Sequence, residues 1–130
     1  QIKLLKTGKN TLLLGFQDAF EFLNSIDAFI LPSRSEGFPV ALLEALATGL
    51  PCIATNVSGI QEMTGGEGAL IVPPESPEAL ARAIKQFLEP ETRAKYAASA
   101  RQIALKYTSD NSVREFKYLY ERLLENTTPA

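Results

Sequence analysis

Residues Asp27 to Gly49 read D-A-F-I-L-P-S-R-S-E-G-F-P-V-A-L-L-E-A-L-A-T-G, and this stretch decides the fold class. Ala28-Phe29-Ile30-Leu31 is a short continuous apolar run stopped by Pro32, as expected of a strand buried on both faces. Ser33 to Gly37 forms a polar loop. Pro39 stands where a helix tolerates proline, in its first turn, and Gly49-Leu50-Pro51 ends the helix about three turns later. Val40, Ala41, Leu42, Leu43, Ala45, Leu46 and Ala47 are all apolar, which predicts a helix buried nearly all round. Glu44 lies among them. A buried carboxylate is costly without a partner, so Glu44 needs either an ion-pair partner or an opening that holds a polar ligand. Glu36, in the preceding loop, lies near the same helix start. In open parallel sheets, ligands bind outside the carboxyl ends of the strands, which places both glutamates at the default site.

Outward from this stretch, strands and helices alternate. Thr11-Leu12-Leu13-Leu14 is a strand candidate before Gly15, and Phe16 to Ser25 has helical spacing through Ala19, Phe22, Leu23 and Ile26. Pro51 to Thr55 is the next strand, Ile60 to Met63 one helical turn, and Ala69 to Val72 a fourth strand. Ser76 is a good N-cap with Pro77 at the first helical position. The buried stripe expected of that helix is Leu80, Ile84, Phe87 and Leu88, with Pro90 as its stop. Tyr96, Ala100, Ile103, Ala104 and Tyr107 mark another helix. A last one, from about Asp110 to Asn126, carries Val113, Phe116, Tyr120, Leu123 and Leu124 on one face. Residues 1–10 read as the end of an element and a turn at Gly8, and residues 127–130 as a frayed end. The alternation predicts an α/β layer built on a parallel sheet.

The 130 residues suffice for one domain with a core. A net charge of −2 gives no electrostatic reason to expect nucleic acid. From Asn10 to Ala81 the only basic residue is Arg34, against nine acidic ones. A phosphate bound there would rely on Arg34, on backbone N–H groups and on helix N-termini. The absence of histidine excludes histidine-based acid–base chemistry and histidine-ligated metals within the chain. The single cysteine, Cys52, allows no intrachain disulfide and reads as a small apolar strand residue. No apolar run is long enough to span a bilayer.

The segment S-E-G-F-P-V-A-L-L-E-A-L-A-T-G-L-P closely resembles the E-x7-E signature of retaining GT-B glycosyltransferases, the large glycosyltransferase family 4 of polysaccharide and glycolipid synthesis. L-L-G-F-Q-D upstream, and I-A-T-N-V-S-G-I-Q-E, L-I-V-P-P and S-P-E-A-L-A-R-A-I downstream, resemble the family in order and spacing. The likeness covers nearly all of residues 11 to 126. It implies a Rossmann-like parallel sheet flanked by helices, one half of a GT-B fold. The whole of residues 1–130 would be a nucleotide-sugar-binding domain, a partial C-terminal domain truncated at its N-terminal side. The acceptor-binding domain, the first strands and the upstream basic pair that grips the donor diphosphate would lie outside it.

By the same resemblance Glu44 matches the glutamate that accepts hydrogen bonds from the donor ribose, a role open to an ionised carboxylate, which takes two hydroxyl donors at once. The alternative is an Arg or Lys partner. Glu36 matches the glutamate close to the donor sugar, and is the candidate catalytic residue; the alternative is a solvated loop carboxylate. Phe38, Val40 and Ala41 offer backbone N–H groups toward a diphosphate at the helix start. Gly37 permits close backbone approach or a positive φ, or is a plain turn glycine. Phe16 and Gln17 match the loop that lies against the nucleobase, or simply pack the loop. Arg34 stands two residues from Glu36, and a local ion pair between them is the plainer expectation. Asn56, Ser58 and Gly59 sit at the end of another strand and could line the same crevice, while Glu62 matches a family glutamate with no donor contact to assign.

The implied activity is sugar transfer from a UDP-, GDP- or ADP-sugar to a glycan or lipid acceptor, without a metal or other cofactor. The acceptor would be met through the N-terminal domain. A nucleotide-sugar binding module without transfer, and a relative such as a nucleotide-sugar epimerase, are the rival classes. A cytoplasmic location, with the parent protein peripheral at a membrane, goes with the resemblance. So does weak self-association, should the apolar face of the last helix lack cover.

Overall fold

The computed structural model describes residues 10–125; the expected element before Gly8, Asn126 of the last helix and the frayed end at 127–130 lie outside the described residues. Three parallel strands, β1 (Phe29–Leu31), β2 (Cys52–Thr55) and β3 (Ala69–Val72), form one sheet in the order β1-β2-β3. Phe29 pairs with Cys52, and Ile53 with Leu70. Around them run α1 (Ala19–Leu23), α2 (Val40–Ala47), α3 (Ile60–Thr64), α4 (Pro77–Gln86), α5 (Pro90–Ala104) and α6 (Ser109–Glu125), with one 3-10 turn at Leu105–Tyr107 between the last two. α2 crosses from β1 to β2 and α3 from β2 to β3, as parallel pairing requires.

Strand residues alternate between two cores, the period-two pattern of a pleat buried on both faces. Cys52, Ala54, Ala69 and, partly buried, Phe29 and Leu31 join Leu42, Ala45 and Leu46 of α2, Ile60 and Met63 of α3, and Ala100, Ile103 and Ala104 of α5. Ile53, Val72 and, partly buried, Ile30 and Leu70 meet Ala79, Ala83 and Phe87 on the opposite side. The layers are helix, sheet, helix, the expected α/β class.

Three expectations are corrected. Thr11–Leu14 is not a strand; Leu12 is 84% exposed. The stretch lies outside the β1-β2-β3 sheet and pairs with none of its strands. α4 seats Ala79, Ala83 and Phe87, leaving Ile84 and Leu88 exposed. The alanines form the stripe because a side chain without bulk lets the helix close on the sheet. Pro90 does not merely stop α4: it opens α5 at its first turn, where a missing N–H costs nothing. α6 buries none of its residues among those described, although Phe116 and Tyr120 share a face.

Candidate functional site

The carboxyl ends of the three strands are tied together by two residues of β2 and its loop. Thr55 Oγ1, on a residue buried at the strand end, donates to the Ser33 carbonyl at 2.6 Å. The Asn56 amide donates to the Val72 carbonyl at 2.7 Å. The loop after β1 is thereby fixed to β2, and β2 to β3. Thr55 lies within the I-A-T-N-V-S-G-I-Q-E stretch, but an apolar run ending in threonine gives only a weak signal for this role.

The 33–39 loop is held at both ends. Ser33 Oγ donates to Glu36 Oε1, so half-buried Glu36 has its partner inside the loop. Arg34 does not pair with Glu36: its guanidinium reaches Glu75 at 3.3 Å, on the loop before α4. Both of those side chains are largely exposed, so the pair contributes little to stability. Farther along, Gly59 has φ +82°, and a Cβ built on it would meet the Gly37 carbonyl oxygen at 2.8 Å. Only glycine fits there, because backbone of one loop lies directly on backbone of the other. The Gly59 amide donates to Glu62 Oε2 at 3.1 Å, which gives Glu62 a structural role. Asn56 and Ser58 are exposed and belong to none of the cavities around α2.

Pro39 is the residue just before α2 and makes no side-chain cap. Its φ of −80° and ψ of 78° describe an inverse γ-turn, and Val40 N donates across it to the Phe38 carbonyl at 2.9 Å. Val40 is therefore not a free donor, which corrects one expectation: of the three expected amides, those of Phe38 and Ala41 make no hydrogen bond among the described residues. The ring of Phe38 lies against Tyr107, with centroids 5.8 Å apart and planes at 60°.

Glu44 is exposed, not buried, which also overturns the helix buried nearly all round. Leu42, Ala45 and Leu46 face the core, while Val40, Ala41, Glu44 and Ala47 face outward. The outward face looks apolar in sequence only because alanine and valine stand exposure at little cost. Burial therefore does not force a partner on Glu44, and among the described residues its side chain has no hydrogen bond or ion pair. Its carboxylate instead lies where three cavities adjoin. One of about 630 Å³ runs between Gly15, Gln17, Ala41 and Glu44. A second, of about 580 Å³, and a third, of about 350 Å³, share Glu44, Ala47 and Arg101 of α5. Gln17 is braced by its own amide, which donates to the Leu14 carbonyl at 2.7 Å. Phe16 is 99% exposed and lines none of the three.

The structure thus brings together Gln17, Ala41 and Glu44, and separately Gly37 with Gly59 and Phe38 with Tyr107. Glu36 sits in the loop between. Arg101 is a cation beside Glu44 that sequence reading missed, since fifty-seven residues separate them and a lone arginine on a helix gives no signal. Among the described residues no group of three or more His, Cys, Asp or Glu could hold a metal ion. No helix among them is long and apolar enough to cross a membrane. Burial pushes the Cys52 thiol up from 9.0 to about 12, so it is a core group and no nucleophile.

The family of glycosyl transferases group 1 matches residues 1–90. The chain is 31% identical over 127 residues to the N,N'-diacetylbacillosaminyl-diphospho-undecaprenol alpha-1,3-N-acetylgalactosaminyltransferase of Campylobacter jejuni, covering 96% of this chain and 34% of that one. It is 42% identical over 67 residues to a putative teichuronic acid biosynthesis glycosyltransferase of Bacillus subtilis, across 52% of this chain and 17% of the relative. Sucrose-phosphate synthase from Thermosynechococcus elongatus superposes with a TM-score of 0.72 at 28% identity, over 82% of this chain and 27% of that structure. The chain thus spans at most about a third of the length of these relatives. With its parallel sheet, its paired loops and the match over most of its length, the chain belongs to the glycosyl transferases group 1 family.

Proposed function

We propose that this domain holds the nucleotide-sugar donor of a retaining, metal-independent glycosyltransferase whose acceptor is a glycan or a lipid. The observation that carries the reading is Glu44: an exposed carboxylate without a partner among the described residues, set where three cavities adjoin. Such a group accepts two ribose hydroxyls through charge-assisted hydrogen bonds. The cavity that Glu44 shares with Gly15 and Gln17 is lined largely by leucines and other apolar groups, which suits the flat faces of a nucleobase. One turn earlier, the Ala41 amide in the first turn of α2 and the Phe38 amide just ahead of the helix make no hydrogen bond among the described residues, and a helix start with free N–H groups suits a diphosphate. Glu36, oriented by Ser33, is then the carboxylate for the sugar, binding its hydroxyls and stabilising positive charge that develops at the anomeric carbon. The relatives from Campylobacter jejuni and Bacillus subtilis are both glycosyltransferases by name, which supports transfer over binding alone.

Glu44→Gln tests this. The change keeps the size, removes the charge and halves the acceptor capacity. Calorimetric titration of UDP, GDP and ADP should show affinity for the preferred nucleotide lowered by about 1.5–3 kcal/mol. A denaturant melt of the same variant should stay within about 0.5 kcal/mol of wild type, because the side chain is exposed and unpaired. Unchanged affinity, or a wild type that binds none of the three, sinks the proposal.

A further inference from the structure

We propose that Tyr107 is a positioning residue for the donor loop, holding the Gly37–Phe38 segment in place from the far end of the chain; this rests on the donor reading above. The residues form a closed circuit. The Tyr107 ring packs on the Phe38 ring at 5.8 Å. Its hydroxyl donates toward the carbonyls of Glu62 and Met63, at 3.3 and 3.4 Å. Glu62 in turn accepts the Gly59 amide through its carboxylate, and Gly59 lies backbone on backbone against Gly37, the neighbour of Phe38. Each link has a separate physical basis, and the circuit encloses the one segment of the loop that Thr55 and Ser33 do not already fix.

The anchor itself is braced. Tyr107 ends the 3-10 turn between α5 and α6, and Asn111 Nδ2 donates to the carbonyls of Leu105 and Lys106, both at 3.2 Å. Those are the carbonyls that a helix end leaves without partners. Thr108 caps the next helix, its Oγ1 accepting from the Asn111 amide at 3.3 Å. The tyrosine is therefore presented from a turn tied on both sides, and its position is set by α5 and α6. Any shift of those helices moves the Phe38 ring and, with it, the amide next to Gly37. Tyr107 also lines the smallest of the three cavities that Glu44 borders, and its links to the loop run through Phe38 and Gly59.

Two substitutions separate the links. Tyr107→Phe keeps the ring and removes the hydroxyl, whereas Tyr107→Ala removes both. In amide hydrogen exchange of the free protein, Tyr107→Ala should speed exchange at Gly59 and across residues 36–41, with the core strands β2 and β3 unchanged. Titration of UDP, GDP and ADP should show affinity weakened about tenfold in Tyr107→Ala and about threefold in Tyr107→Phe, the sizes expected for a ring contact and a long hydrogen bond. Unchanged exchange in the loop overturns the clamp. Faster exchange with unchanged affinity overturns the positioning role, as a merely structural residue would give that result. A wild type that binds no nucleoside diphosphate instead overturns the donor reading on which the role rests. Should Tyr107→Ala fail to fold, Tyr107→Phe alone decides through its graded loss.

Discussion

α2 and α6 invert what their sequences promise. α2 is apolar at every position but one, yet it leaves a whole face open; α6 has a clear apolar stripe, yet none of its residues is buried among those described. In α2 the open face is made of small residues around Glu44, and the closed face is Leu42, Ala45 and Leu46 at 0% exposure. In α6 the stripe is aromatic and large, with Phe116 and Tyr120 each about 60% exposed. Periodicity says which residues share a face. What covers that face is decided elsewhere in the chain, and neither polarity nor bulk announces it: Ala45 and Ala83 are buried while Leu88 and Phe116 are exposed. A face of alanine and valine can remain open at small cost, and so can serve a ligand.

The largest expected effect lies in that contrast. Leu46→Ala removes a fully buried side chain between α2, α5 and the sheet and should cost about 2–5 kcal/mol in a denaturant melt. Phe116→Ala deletes a larger side chain from α6 and should cost under about 1 kcal/mol, since most of its surface already meets water. Comparable losses from the two would break the comparison.

Next in size is the loop contact that opens α2. Gly59→Ala puts a methyl group 2.8 Å from the Gly37 carbonyl oxygen, at a residue with φ +82°. The left-handed backbone alone costs about 1–2 kcal/mol for an L-residue, and the clash adds to it. Gly49→Ala has nearly the same φ, +81°, with nothing within 4 Å of the added group, so it bears the backbone strain alone. The difference between their melts isolates the backbone contact that holds the 33–39 loop, and equal losses would remove it from the account.

Much of this was legible in the sequence. The run stopped by Pro32, the Gly49-Leu50-Pro51 break and the cap at Ser76 mark where the chain changes element, and these are local effects of backbone chemistry. β3 falls on Ala69–Val72 as its apolar run predicts. The illegible parts are nonlocal. Thr11–Leu14 reads as a strand, but a strand exists only beside another. Arg34 has Glu36 two residues away and yet finds Glu75, because the ends of β1 and β3 lie in one plane with the strand between them. Tyr107 reaches Phe38 across sixty-nine residues, and nothing in either neighbourhood announces the other.

The smallest expected effect reads the closed side of α2 through the strand beneath it. Cys52 is fully buried in the core that Leu42, Ala45 and Leu46 cover, and its thiol donates to the Leu50 carbonyl at 3.3 Å. Burial raises its folded pKa from 9.0 to about 12. The folded state therefore keeps a proton that the unfolded chain gives up first. Its full contribution to stability is present below the unfolded value, about pH 9, and is lost as pH rises from there toward 12. The slope cannot exceed about 1.4 kcal/mol per pH unit for a single group. Melts of wild type and Cys52→Ala at several pH values from about 8 to 10 should differ by a constant below 9 and converge above it. The two proteins differ at this one side chain, so the difference between their melts isolates the thiol. Parallel curves throughout would mean that the thiol ionises as easily folded as unfolded, and that the dry underside of α2, on which the comparison with α6 depends, admits water.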